Sequence, residues 1–168
     1  MPKRPMTGRS SATESSALKL ARKELLKERP NTARGVKLVR AAFKNGDPGA
    51  AYALATWYLH GKYVPKNLAK AVQLLEVAAN RNIPDALYDL ALSYEKGVGA
   101  KKDPKKAYQL YLRAALWGDH QSVFEVGRCL FYGIGVKQDR STAKFWLARS
   151  KALGVFEALR PNKAHKAG

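Results

Sequence analysis

The stretch from Ala86 to Gly118, ALYDLALSYEKGVGAKKDPKKAYQLYLRAALWG, decides the fold of this chain. The residues that shape it recur 36 positions earlier and 36 positions later, with no gap between the copies. A constant period of this length indicates a stack of repeated structural units. The clearest matching sets are Gly61, Gly97 and Gly133; Ala71, Ala107 and Ala143; Asn67, Asp103 and Asp139; and Leu54, Leu90 and Val126.

Each unit is predicted to fold into two helices. In the quoted copy, Leu90 and Tyr94 lie on one helical face, and Gly97 can adopt the left-handed conformation that ends a helix. Asp103 is then placed to cap the second helix. Each helix pair can bury its apolar face only against its neighbours, so the sequence predicts an all-α stack with a covering element at each end. The first helices are expected to begin near Pro48, Pro84 and His120.

Four regions follow from this pattern. The first predicted helix, residues 13–29, opens with a capping box formed by Ser11 and Glu14 and closes at Pro30. Asn31 to Asn45 matches the second helix of a repeat. The predicted regions are a flexible basic arm (1–10), an N-terminal capping helix pair (11–45), three repeats (46–154), and a short C-terminal cap with a frayed tail (155–168).

The repeat unit resembles the Sel1-like repeat, which is related to the tetratricopeptide helix pair. The resemblance implies a right-handed α-solenoid whose first helices line a concave groove, and it implies adaptors and scaffolds rather than enzymes. The third copy departs from the pattern at Leu130, and the first has Tyr63 where a turn glycine is expected, so we expect a differently shaped turn there. The residues that carry the resemblance are Ala86, Leu90, Ala91, Tyr94, Gly97, Gly99, Asp103, Lys106, Ala107, Tyr111, Ala114, Ala115 and Gly118.

Length and composition agree with one globular domain. The chain has 168 residues, of which 46% are hydrophobic and 26% charged, with a net charge of +18. Such a charge favours acidic partners without naming one. The single cysteine, Cys129, excludes an internal disulfide, and no apolar run is long enough for a membrane span or a secretory signal. We therefore expect a cytoplasmic protein, and a monomer.

The residues that could carry out chemistry do not form a catalytic pattern. His60, His120 and His165 lack the spacing of metal ligands, and Cys129 has no His or Asn arrangement near it. The carboxylates of Asp103 and Asp139 are accounted for by helix capping. The sequence therefore predicts no catalytic residue, no metal and no cofactor, and a protein that is not an enzyme.

The first helices offer a candidate surface for binding another protein. Positions away from their core face are expected to line the groove, and Trp57 stands out because tryptophan is enriched at binding hot spots. Packing in the core is the alternative for Trp57, since most tryptophans are largely buried. Asp89 and Glu125 would select the charge of the ligand. The candidate groove residues are Trp57, His60, Asp89, Leu92, Lys96, Glu125, Arg128 and Tyr132.

Basic residues offer a second surface. Stacking of the repeats is expected to align them as a stripe along one edge, near the turns and the starts of the second helices. The stripe is either a solvated surface, with Lys70 and Lys106 matching the repeat pattern, or a docking site for an anion. Its members are Lys66, Lys70, Lys101, Lys102, Lys105, Lys106, Lys137 and Arg140.

These observations favour a protein that works by binding another protein, with an acidic face, in the groove. It would act as an adaptor or as an inhibitor or immunity-type partner that occludes its target. The alternative is RNA binding through the basic N-terminal region and the lysine-rich edge, although residues 1–42 lack the aromatic side chains that would stack on bases.

Overall fold

The computed structural model describes residues 15–27 and 31–155, and within them it contains helices and no strand. The helices form hairpins that follow one another along the chain, so each packs mainly on its sequence neighbours. This confirms the predicted all-α stack of helix pairs. The helices are α1 (Ser16–Leu25), α2 (Thr32–Lys44), α3 (Pro48–His60), α4 (Leu68–Asn80), α5 (Pro84–Lys96), α6 (Pro104–Leu116), α7 (His120–Tyr132) and α8 (Arg140–Ala152).

The helix ends within the repeats lie where the sequence predicts them. Gly61, Gly97 and Gly133 take left-handed φ angles of 69°, 71° and 73° and end α3, α5 and α7. The side chains of Asn67, Asp103 and Asp139 each accept a hydrogen bond from a backbone N–H in the first turn of α4, α6 and α8. Local chemistry therefore sets both ends of each hairpin turn.

The N-terminal helix differs from the prediction. It begins at Ser16, and its cap is Ser15, whose hydroxyl oxygen accepts from the N–H of Leu18. The backbone N–H of Ser15 also donates to Asp47 at the start of α3, a contact that the sequence pattern does not show. The predicted capping box of Ser11 and Glu14, the arm and the tail beyond Val155 lie outside the described residues.

The core runs the length of the stack and consists mainly of alanine and leucine with a few large side chains. Tyr111, Leu75 and Leu87 are fully buried. Small residues allow close packing between units: a Cβ at Gly99 would overlap the carbonyl oxygen of Leu68, and a Cβ at Gly135 that of Pro104. The second and third repeats thus place their turns directly against the second helix of the preceding repeat.

Tyr63 occupies the equivalent turn position in the first repeat. Its φ of 65° is close to the 76° of Gly99 and the 69° of Gly135. The expected difference in turn shape is therefore wrong for the backbone of this residue. The first repeat differs in the space around this residue, which leaves room for a Cβ that would overlap neighbouring atoms at Gly99 and Gly135. The ring of Tyr63 packs edge-on against Trp57, with 4.9 Å between the ring centroids.

Candidate functional site

The three first helices of the repeats, α3, α5 and α7, are joined by side chains that reach from one repeat to the next. The hydroxyl of Tyr52 on α3 donates to Asp89 on α5 at 3.0 Å. The guanidinium of Arg128 on α7 donates to both carboxylate oxygens of Glu95 on α5, at 2.7 and 2.8 Å. The first helices therefore form a continuous face, which we call the first-helix face.

Trp57 does not belong to the exposed part of this face. It is 4% exposed, and the equivalent residues of the other repeats, Ser93 and Cys129, are 5% and 1% exposed. This corrects the expectation that Trp57 lines the groove. It lies three residues after Leu54 and seven after Ala50, both buried, so helical periodicity places it on the core face.

Glu125 and Arg128 are held in an ion-pair network with Glu95 and Tyr111. The Arg128 Nε donates to Glu125 at 2.6 Å, and the buried hydroxyl of Tyr111 on α6 donates to Glu95 at 2.8 Å. The side chains of Arg128, Glu95 and Glu125 are 23%, 18% and 12% exposed. This corrects the expectation that Glu125 and Arg128 face a ligand, because both side chains are largely buried and are paired with each other and with Glu95.

The pKa values of this network reflect its burial. Burial acts to lower the pKa of Arg128, but the neighbouring carboxylates of Glu125 and Glu95 outweigh it and raise that pKa above its ordinary value. Burial, assisted by Glu95, raises the pKa of Tyr111. Arg128 therefore stays charged and Tyr111 neutral across the physiological range, and their hydrogen bonds to Glu95 link α5, α6 and α7.

Sequence reasoning missed the role of Glu95, although the repeat period contains the signal. Arg128 precedes by three residues the position that corresponds to Glu95 in the next repeat, so the two lie about one helical turn apart on neighbouring first helices. Register alone could have brought them together. It could not show that Tyr111 joins them, because that depends on how α6 is rotated against α5.

The other predicted groove residues keep some access to solvent. His60 and Lys96 are exposed, whereas Leu92 and Tyr132 are half-buried. His60, Lys96 and Tyr132 are equivalent residues of the three repeats, so they form a row at the ends of α3, α5 and α7. Asp89 is also half-buried and accepts the hydroxyl of Tyr52. This row is the accessible part of the predicted groove.

Two of the basic-edge residues belong to a motif inside the repeat. Lys106 Nζ lies 4.0 Å from the centroid of the Tyr94 ring, 2.6 Å from its hydroxyl and 3.5 Å from Glu76. The hydrogen bond to Tyr94 contributes most to raising the pKa of Lys106. Lys70 lies 4.9 Å from the ring of Tyr58 in the same way. These lysines thus serve packing within the repeat.

The third repeat supports this packing role, because it lacks both the tyrosine and the lysine of the motif. Leu130 stands where the tyrosine is expected, and Thr142 stands where the lysine is expected. Thr142 instead donates to Asp139 at the helix cap. Arg140 lies 5.2 Å from the centroid of the Phe131 ring, which makes it a third cation held over an aromatic ring.

The remaining basic-edge residues are exposed lysines without a polar partner among the described residues. They lie in the turns between first and second helices and in the first turn of α6. We call this set the turn edge. It consists of Lys66, Lys101, Lys102, Lys105 and Lys137.

Charge is distributed unevenly between the first-helix face and the rest of the molecule. Of the 24 described Lys and Arg, only Lys96 and Arg128 lie on α3, α5 or α7, whereas four of the ten described carboxylates lie there. Those three helices carry a net charge of −2, and the rest of the described chain carries +16 from 22 basic and 6 acidic residues. The four carboxylates are Asp85, Asp89, Glu95 and Glu125.

No three His, Cys, Asp or Glu side chains of the described part of the chain lie close enough to hold a metal ion. Cys129 is buried, and burial raises the pKa of its thiol to about 12. The thiol is therefore protonated and inaccessible at neutral pH, as the sequence suggests for a structural cysteine. Within residues 15–27 and 31–155, no helix has both the length and the apolar character that crossing a bilayer requires.

Comparison with known proteins identifies the repeat. A family model described as the Sel1 repeat matches residues 48–83, 84–119 and 120–155. No curated protein sequence matches the chain. Among solved structures, a protective antigen of uropathogenic Escherichia coli with an SLR fold is similar with a TM-score of 0.79 and 27% identity. A Sel1 repeat protein from Oxalobacter formigenes is similar with a TM-score of 0.75 and 28% identity.

These two similarities cover 82% of this chain but only 30% and 40% of the other two proteins. The chain is thus matched by part of two longer solenoids. The cysteine rich protein B of Helicobacter pylori is similar in fold, with a TM-score of 0.57 and 22% identity, over 77% of this chain and 93% of that protein.

Proposed function

Because the chain belongs to the Sel1 repeat family, whose members are generally protein-interaction modules, we propose that it is a non-enzymatic binding module for another protein with an acidic surface. It would act by holding that protein, either as an adaptor or as an inhibitor that occludes it. The net charge of +16 on the described chain outside α3, α5 and α7 is the observation that carries this proposal.

The charge distribution supports an acidic partner for two reasons. The described chain outside the first-helix face has a net charge of +16, which attracts an acidic protein over long range and raises its rate of encounter. Four of the ten described carboxylates are already engaged at helix starts, because Asp47, Asp103, Asp119 and Asp139 cap helices.

Specificity would come from the row formed by His60, Lys96 and Tyr132, together with Leu92. These residues combine an aromatic ring, an apolar side chain and two exposed basic groups, on helices fixed by the core beneath them. Aromatic residues on a rigid support are favourable binding anchors. The buried Trp57 supports this surface from below and does not itself contact a ligand.

Affinity isolation from a cell extract, with and without nuclease, tests the proposal. We expect a stoichiometric protein that survives nuclease treatment and that is lost or strongly reduced with the variant Lys96→Glu/Tyr132→Ala. Gln109→Ala, at an exposed position on the outer helix α6, is the matched control and should retain the protein. Loss of all bound material on nuclease treatment would contradict the proposal.

RNA binding is the second candidate, and the basic end of the stack favours it. The described parts of α1, α2 and their flanks carry eight Lys or Arg against the single carboxylate of Glu24. Binding to phosphates would weaken steeply as salt increases. Affinity for an oligonucleotide that does not change between low and physiological salt would exclude this candidate.

A further inference from the structure

The turn edge is a strongly basic surface that the packing of the repeats does not explain. The side chains of its lysines make no hydrogen bond or ion pair with another described residue, whereas Lys106 bonds to Tyr94 and Glu76 and Lys70 lies over the Tyr58 ring. The five side chains come from three consecutive repeats, so the stacking itself brings them to one edge. Exposed like charges of this kind do not stabilise a fold, and their alignment is suited to an anionic ligand.

The carboxylates nearest to this edge along the chain form no ion pair with its lysines. Asp103 accepts the backbone N–H of Lys106, and Asp139 accepts the backbone N–H and the hydroxyl of Thr142. These bonds lower the pKa of Asp139, the side-chain bond from Thr142 contributing most. Both carboxylates are fixed at helix starts, and the lysine ammonium groups remain available.

The aromatic rings along the edge disfavour single-stranded nucleic acid. Tyr58, Tyr63, Tyr94 and Phe131 each have a Lys or Arg cation between 4.0 and 5.2 Å from the ring centroid. A base could stack on these rings only after displacing the cation, whereas single-strand binders present open rings for stacking.

The spacing of the lysines suits an extended acidic polypeptide. Turns of neighbouring repeats lie roughly 10 Å apart, the diameter of a helix with its side chains. In a polyproline II segment every third side chain points to the same side, after an advance of about 9 Å. A carboxylate at every third residue would therefore meet Lys66, then the equivalent Lys102, and then Lys137, the neighbour of the equivalent Gln138.

We infer that the turn edge binds an extended acidic segment of the partner protein that presents a carboxylate at about every third residue. This inference rests on the proposed function and assigns it a second surface. The row of His60, Lys96 and Tyr132 would recognise the folded part of the partner, and the turn edge would bind an acidic segment attached to that part.

Binding of two synthetic peptides of equal composition tests the inference. In the first peptide every glutamate is followed by two prolines. The second peptide has the same number of glutamates and prolines, but its glutamates are contiguous at one end. Fluorescence anisotropy with the full chain should show tighter binding of the periodic peptide. The variant Lys66→Gln/Lys102→Gln/Lys137→Gln should weaken that binding by roughly tenfold, as expected for three exposed ion pairs.

The matched control removes the same charge from another surface. Lys37→Gln/Arg40→Gln/Lys44→Gln, on the exposed side of α2, also removes three positive charges and should leave the affinity for the periodic peptide within about twofold. Equal losses in the two variants, or equal affinities for the two peptides, would overturn the inference. Tighter binding of polyuridylate than of the periodic peptide, lost only in the turn-edge variant, would overturn it in favour of nucleic acid.

The outcome is separable from that of the proposed function. If wild type and the turn-edge variant isolate the same protein equally well, the inference of an acidic segment is wrong, while the proposal that the chain binds another protein is retained. If no protein survives nuclease treatment, the proposed function is wrong whatever the peptides do.

Discussion

At the scale of single residues, one buried position of the repeat is filled by different side chains in the three copies. Trp57, Ser93 and Cys129 occupy one position of the unit and are all buried, yet they differ greatly in volume. The first repeat fills the additional space with an indole ring that also contacts Tyr63. Packing around that position must therefore be specific to each copy.

Truncation of Trp57 tests whether this ring belongs to the core. We expect Trp57→Ala to lower the free energy of unfolding by about 3–5 kcal/mol, because it leaves a cavity where a large ring was. Trp117→Ala is the control, since Trp117 is 57% exposed, and it should change stability by less than about 0.5 kcal/mol. Denaturant unfolding measures the stability of both variants. Equal losses of stability would show that the Trp57 ring is not part of the core.

At the scale of elements, the turn between the two helices of a repeat is also a packing surface. Gly135 lies against the start of α6, where an added Cβ would overlap the carbonyl of Pro104 and come within 2.8 Å of the Lys105 nitrogen. Gly118 also has a left-handed φ, of 90°, but nothing lies within 4 Å of the place where its Cβ would be. The two glycines share a backbone constraint and differ in their surroundings.

The pair separates conformational strain from steric overlap. We expect Gly118→Ala to cost about 1 kcal/mol, the penalty for a left-handed alanine. Gly135→Ala should cost at least about 3 kcal/mol, because the backbone of α6 must move as well. Thermal unfolding of the two variants tests this difference in stability. Similar melting temperatures would show that the turn is not packed against α6.

At the scale of the whole molecule, stability comes from contacts between neighbours along the stack. In the described residues, α1 packs mainly on α2, whereas α4, α5 and α6 each have a packed helix on both sides. A linear array of this kind opens locally at its least supported units before it unfolds globally.

Hydrogen exchange should reveal this gradient. We expect backbone amides in α1 to exchange at least roughly tenfold faster than those in α4 to α6, which corresponds to a local opening that costs about 1.4 kcal/mol less. Exchange measured on the full chain by NMR or mass spectrometry tests this. Uniform protection across the helices would show that the stack opens only as a single unit.

The sequence by itself determined the period, the number of repeats and the helix ends within them, because caps and left-handed glycines act over a few neighbouring residues. It also indicated the positions of Lys70 and Lys106, although not their aromatic partners. The start of α1 was less predictable, since Ser15 is fixed partly by Asp47, which is distant in sequence.

Only the tertiary structure decided which side chains of the first helices are available to a ligand. A repeat pattern predicts the helical face on which a residue lies. The exposure of that residue also depends on the neighbouring repeat and on how the helices of that repeat are rotated. Glu95 and Arg128 neutralise each other across that boundary, and Trp57 is enclosed by its own turn. The lysines of the turn edge, by contrast, have no such partner among the described residues, because the nearby carboxylates of Asp103 and Asp139 are held at helix caps.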